Sequence, residues 1–186
     1  MSASAIRADL LTELRSGSRE SFDRLVPRLY DELRAIAHRQ MARQPRGGTL
    51  ETTALVHEAY LKVAGHSHQG VRDGAHFLAL ASLAMRHVLV DRAKARNTLK
   101  RDDARGLITF DDNIMCVEDQ PSAMLDLDAA LTGLAELEPR LARVVECRFF
   151  GGLTEEEIAA ALGITVRTVQ RDWAKARMLL RRTLES

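Results

Sequence analysis

The stretch from Gly152 to Leu180 limits the fold more narrowly than any other part of the chain, because it spells a helix-turn-helix. Thr154-Glu155-Glu156-Glu157 has the form of a capping box, with Thr154 as the cap and Glu157 reaching back. The helix it starts is expected to bury Ile158, Ala159 and Leu162, with the small Ala159 where two helices approach most closely. Gly163 ends that helix at the place where left-handed backbone is needed. Ile164 plugs the turn and Thr165 caps the second helix. In that second helix Val166, Val169, Trp173, Ala176 and Leu180 recur at three- and four-residue spacing and point inward. The opposite face presents Arg167, Thr168, Gln170, Arg171 and Lys175, side chains able to reach base edges and phosphates in a major groove. Arg177, Arg181 and Arg182 extend the positive charge. The plain alternative is a soluble helical hairpin, but cap, small residue, turn glycine and basic outer face agree on DNA binding. Trp173 is expected in the core rather than stacked on a base.

The remainder is also helical in character. Hydrophobic residues make up 46% of the 186 residues and aromatics only 4%, a balance that favours an all-α fold packed with Leu, Val and Ala. Apolar stripes run through Ile6, Leu10, Leu11 and Leu14, then through Phe22, Leu25, Val26, Leu29, Leu33 and Ile36, with Pro27 set to bend or delay that helix. A third helix is expected from Thr52 or Thr53 through Val63, and a fourth carries Phe77, Leu80, Ala81, Ala84, Val88 and Leu89 into a basic stretch ending near Arg105. After the linker the helical period returns with Leu125, Leu127, Leu131, Leu134 and Leu137 before Pro139.

The net charge of +1 hides a basic–acidic–basic layout. Gly106 to Pro139 holds no Lys or Arg, while Arg86, Arg92, Lys94 and Arg96 precede it and the arginines of the last helix follow. Two small helical domains are therefore expected, residues 1–105 and 122–186, joined by an acidic linker over 106–121 that lacks a helical period.

Several other chemistries find little support. Cys116 and Cys147 have neither CxxC nor metal-ligand spacing and suit a reducing cytoplasm. Residues Met1 to Leu14 form neither a signal peptide nor a membrane span. His66 and His68, with His57, His76 and His87 nearby, lack a further ligand in any zinc pattern, so no metal is expected. No phosphate loop or nucleophile–base order is present, so neither catalysis nor a cofactor is expected.

The two-part layout, from about Ser21 to Leu184, resembles the extracytoplasmic-function (ECF) sigma factors. Leu137-Glu138-Pro139-Arg140 and Arg148-Phe149-Phe150-Gly151-Gly152-Leu153-Thr154 are similar to that family's lead-in to its helix-turn-helix, which the resemblance assigns to the minus-thirty-five promoter element. Leu55-Val56-His57-Glu58-Ala59-Tyr60-Leu61-Lys62-Val63 resembles the helix that docks on core RNA polymerase, with Leu55, Val56, Glu58, Tyr60, Leu61 and Lys62 as its docking residues. Phe77 to Asp91, with Arg92, Lys94 and Arg96 beyond it and Arg86 within it, resembles the helix that opens and holds the minus-ten element. The loop from Gly65 to His76 falls where such proteins capture a flipped base.

Two places depart from the family pattern. Leu80 and His87 stand where a Trp and an Asn are usual, and Glu51-Thr52-Thr53-Ala54 stands where an Asp-Ala-Glu-Asp cluster is usual. Phosphate on Thr52 or Thr53, at a helix N-terminus, would add about −1.5 to −2 charges and replace the missing acidity. A Ser/Thr kinase is thus an expected partner beside core polymerase and promoter DNA; plain N-caps are the alternative. Two further functions compete: a conventional helix-turn-helix regulator with an N-terminal sensor domain, and a small metal-dependent helical enzyme using the histidines.

Overall fold

The computed structural model describes residues 31, 34–35, 54, 56–59, 61–62, 74–99, 108–110, 115–117 and 121–185. The expected helices that carry Ile6 to Leu14 and Phe22 to Ile36 fall almost wholly outside these; Asp31, Arg34 and Ala35 are helical. The described elements are α1 (Gly74–Leu99), strands β1 (Ile108–Phe110) and β2 (Met115–Val117), α2 (Pro121–Leu137), α3 (Pro139–Val145), a π-helical turn (Glu146–Phe150), α4 (Glu155–Leu162) and α5 (Val166–Leu184). Among the described residues the fold is all-α apart from one small hairpin.

Helix α1 is apolar around most of its circumference over its first five turns. Phe77, Leu78, Ala81, Met85, Val88 and Leu89 are all buried, as befits a helix covered on more than one side. Val56 and Ala59, on the helical stretch within 54–62, join its core. Its other flank packs on α2, on the π-helical turn and on α4. Among the described residues the buried cluster includes side chains from Val56 to Leu180.

Along α2 the buried stripe is Ala123, Met124, Leu127, Ala130, Leu131 and Leu134. Leu125 is only partly covered and Leu137 is exposed. Pro139 lacks the N–H that α2 would need to continue, and it sits in the first turn of α3 instead. The ladder then widens: the Gly151 amide donates to the Glu146 carbonyl five residues back at 3.1 Å, and Glu146, Cys147, Phe149 and Phe150 all turn inward. The Phe149 and Phe150 rings meet edge-on, with centroids 4.7 Å apart.

Part of the expected acidic linker is folded. β1 pairs antiparallel with β2 in the register Ile108↔Val117, Thr109↔Cys116 and Phe110↔Met115. Ile-Thr-Phe and Met-Cys-Val carry β-branched and aromatic side chains suited to strands, and Asp111-Asp112-Asn113 between them supplies turn formers. β1 touches α5, and Ile108 packs against the core.

Helix α1 approaches the C-terminal elements closely at Gly151. A Cβ there would collide with the Ser82 hydroxyl and sit 2.7 Å from the Cys147 carbonyl oxygen. Gly151→Ala is expected to lower unfolding free energy by about 1–3 kcal/mol in urea titration. Gly133→Ala, on α2 with open space around its Cβ, should instead be neutral or stabilising by about 0.5–1 kcal/mol. Equal midpoints for the two variants would refute the close approach.

Candidate nucleic-acid interface

The helix-turn-helix forms as its local chemistry demands. Thr154 accepts from the Glu157 amide while the Glu157 carboxylate accepts from the Thr154 amide at 2.8 Å, a complete capping box. Three glutamates in the first turn of α4 complement its dipole. Gly163 takes φ 67°, ψ 36°, and the Ile164 amide closes the turn on the Ala159 carbonyl at 3.0 Å. Thr165 caps α5 by accepting from the Thr168 amide. Ile158 and Ala159 are buried; Leu162 and Ile164 are only partly covered.

On α5, Val169, Trp173, Ala176 and Leu180 form the inner stripe, whereas Val166 is half-covered. Trp173 is thus core, as expected. Arg167, Gln170, Arg171 and Lys175 lie exposed on the outer face, with Thr168 beside them partly covered. Several already have partners. The Thr168 hydroxyl lies 2.9 Å from that of Thr165, Gln170 Nε2 donates to Glu155 Oε2 at 2.7 Å, and Lys175 Nζ donates to Glu138 Oε1 at 2.6 Å.

Two polar links beneath this face escaped the sequence reading. Asp172 is buried and receives Arg140 Nε at 2.6 Å and a second guanidinium nitrogen at 3.3 Å; this hydrogen bonding raises the Arg140 pKa above its usual value. The spacing of Val169, Asp172, Trp173 and Ala176 is the signal that places Asp172 inward. Arg148 donates to Glu155 Oε1 at 3.0 Å and lies over the Trp173 ring, 4.6 Å from its centroid.

Of the basic residues expected along the fourth helix, Arg86 is placed otherwise. It is 6% exposed. Its Nε donates to Asp128 Oδ1 at 2.8 Å, and one terminal nitrogen donates to Glu146 Oε1 at 2.7 Å. The other donates to the Asp128 carbonyl and to Thr132 Oγ1, both at 2.9 Å. In this arrangement Arg86 faces acceptors of α2 and the π-helical turn, not solvent, because its position in the helix turns it toward them. Lys94 and Arg96 are exposed, and Arg92, partly covered, has Nε 3.9 Å from Glu58 Oε2.

The docking candidates also divide. Val56 is fully buried against α1, while Glu58 and Leu61 are exposed, Leu61 at 67%. Lys62 Nζ reaches Asp91 Oδ2 at 3.0 Å. Leu55, Tyr60, Thr52 and Thr53 lie outside the described residues, as do the side chains of His66, His68 and His76. Leu80 is half-covered and His87 exposed; partial desolvation, with the charges of Lys62 and Arg86, pulls the His87 imidazole below its usual pKa. Burial pushes the Cys147 thiol up to about 12, so it remains protonated and acts as a small apolar group. Among the described residues no group of three or more His, Cys, Asp or Glu is placed to hold a metal, and no helix is long and apolar enough to cross a membrane.

A family model described as "ECF sigma factor" matches residues 6–186. No curated protein and no solved structure matches the chain.

Removing Arg86 would leave buried Glu146, among the described residues, with only the longer 3.4 Å contact from Arg143. Arg86→Met is therefore expected to cost about 3–5 kcal/mol of unfolding free energy. Lys175→Met, which opens a half-exposed pair, should cost no more than about 1 kcal/mol. Urea titration of both variants compares them directly, and similar losses would refute the ranking.

Proposed function

We propose that this chain, which belongs to the ECF sigma factor family, binds core RNA polymerase, carries it to a promoter and initiates transcription there. Family membership establishes a role in transcription initiation; the division of labour within the chain is the proposal. Residues 1–105 dock on the polymerase and engage the minus-ten element. Residues 106–121 connect, and residues 122–186 read the minus-thirty-five element. The observation that carries this reading is the capped helix-turn-helix whose second helix turns Arg167, Gln170, Arg171 and Lys175 outward. A helix so presented suits a major groove, its first turns toward base edges and its basic residues toward phosphates.

On the polymerase side, exposed Leu61 and Glu58 are the described residues best placed for docking. On the promoter side, Arg92, Lys94 and Arg96 are the candidates along α1. Arg86 can join them only where α1 parts from α2 and the π-helical turn, since each nitrogen of its guanidinium is engaged there.

The proposal extends to control. Thr52 and Thr53 stand in the sequence where the family usually has acidic residues, so phosphorylation by a Ser/Thr kinase supplies the negative charge that favours polymerase docking. What supports this is sequence position and charge arithmetic alone.

Affinity capture of core RNA polymerase by the full chain, followed by run-off transcription, tests the function. The chain is expected to retain core enzyme and to direct promoter-specific transcripts. Arg171→Ala should lower their yield about fivefold or more if Arg171 reads a base or phosphate. A chain that ignores core polymerase yet occupies duplex DNA alone contradicts the proposal. For the switch, Thr53→Glu should raise core binding and Thr53→Ala should abolish induction by a co-expressed kinase. Unmodified protein that binds core as tightly as Thr53→Glu removes the switch and leaves the sigma role standing.

A further inference from the structure

A glutamine amide looks outward with either its oxygen or its nitrogen at a given corner, and the difference decides which base it can read. On α5 that choice is already made. Gln170 Nε2 lies 2.7 Å from Glu155 Oε2, and an ionised carboxylate only accepts, so the nitrogen must face it. The hydrogen bonds from Gln170 and Arg148 hold the Glu155 carboxyl below its usual pKa, so it is ionised at neutral pH. Glu155 is fixed in turn: Arg148 grips its other oxygen at 3.0 Å and lies on the face of buried Trp173. A chain of contacts thus runs from the core to the tip of an exposed side chain in the second turn of α5.

We propose that Glu155 is a positioning residue that sets the base preference of Gln170. The inference rests on α5 lying in the major groove, as the sigma-factor reading requires. Glu155 requires only the N–H trans to the amide oxygen; the oxygen and the cis N–H then stay together on one edge as acceptor and donor. That pair matches the N6 donor and N7 acceptor of adenine and no other base edge in the same orientation. A free amide would pay to order itself on the base and could present either end; the anchored one is ordered beforehand.

The test uses holoenzyme assembled from the full chain and core RNA polymerase, with promoter DNA randomised across the upstream element and bound sequences counted. The wild type is expected to prefer adenine about tenfold at one position, and Gln170→Ala should erase that preference there. Glu155→Gln, whose amide can also donate and so permits Gln170 to flip, should reduce the same preference to about twofold or less and leave the other positions unchanged. Glu155→Ala should do likewise. Glu156→Gln, in the same helical turn and equally close to the helix dipole, should leave every position unchanged; urea midpoints check that each variant is folded. A Glu155 variant that keeps full adenine preference overturns the inference while the sigma reading survives. So does one that weakens binding evenly at all positions, which marks Glu155 as structural only. Wild-type holoenzyme with no sequence preference overturns both.

Discussion

The Arg86 guanidinium is the contact on which the arrangement of the described residues depends. It rises from the middle of α1 and satisfies oxygens of Asp128, Thr132 and Glu146, so a residue from the first half of the chain holds two elements of the second. Burying a full positive charge is unfavourable unless it is matched, and here every nitrogen is matched. The apolar surface around it, from Met85 and Val88 to Leu127, Leu131 and Phe150, supplies the larger part of the attraction. The ion cluster supplies the register, because only one rotation of α1 brings Arg86 to those acceptors while Gly151 admits Ser82.

The outward face of α5 is organised by the same means on a smaller scale. Asp172 beneath it is tied to Arg140 and Glu155 beside it to Arg148, so side chains aimed at solvent stand on charged supports that reach the core. Lys175 and Gln170 are spoken for by Glu138 and Glu155. Any anion approaching this face competes with the Glu138 carboxylate for Lys175, and added salt screens both attractions alike.

Local chemistry was the legible part of the sequence. The capping box at Thr154, the left-handed Gly163, the Thr165 cap and the inward Trp173 could be read because each is decided within one or two helical turns. Arg86 could not be read that way. An arginine in an apolar helix suggests a solvent-facing or DNA-facing charge until its acceptors, 42 to 60 residues further along the chain, are brought beside it. Glu146 carried a faint signal as a lone acid in the apolar run from Leu141 to Phe150, but its partner was beyond local inference. The hairpin was missed for a different reason: strands of three residues are too short to show a period, and the acidic residues around them dominated the reading.

That hairpin has a mechanical consequence for the length of chain between its two strands. Ile108 and Val117 are paired across the ladder, so the ten residues from one to the other span a single inter-strand spacing of about 5 Å. Drawn out, the same ten residues cover about 30 Å or more. A two-stranded ladder is marginal in water without neighbours to cover it, so this one leans on its contact with α5 and on Ile108 packed against the core. Between Ile108 and Val117 the chain is thus shortened by a fold held with three residue pairs.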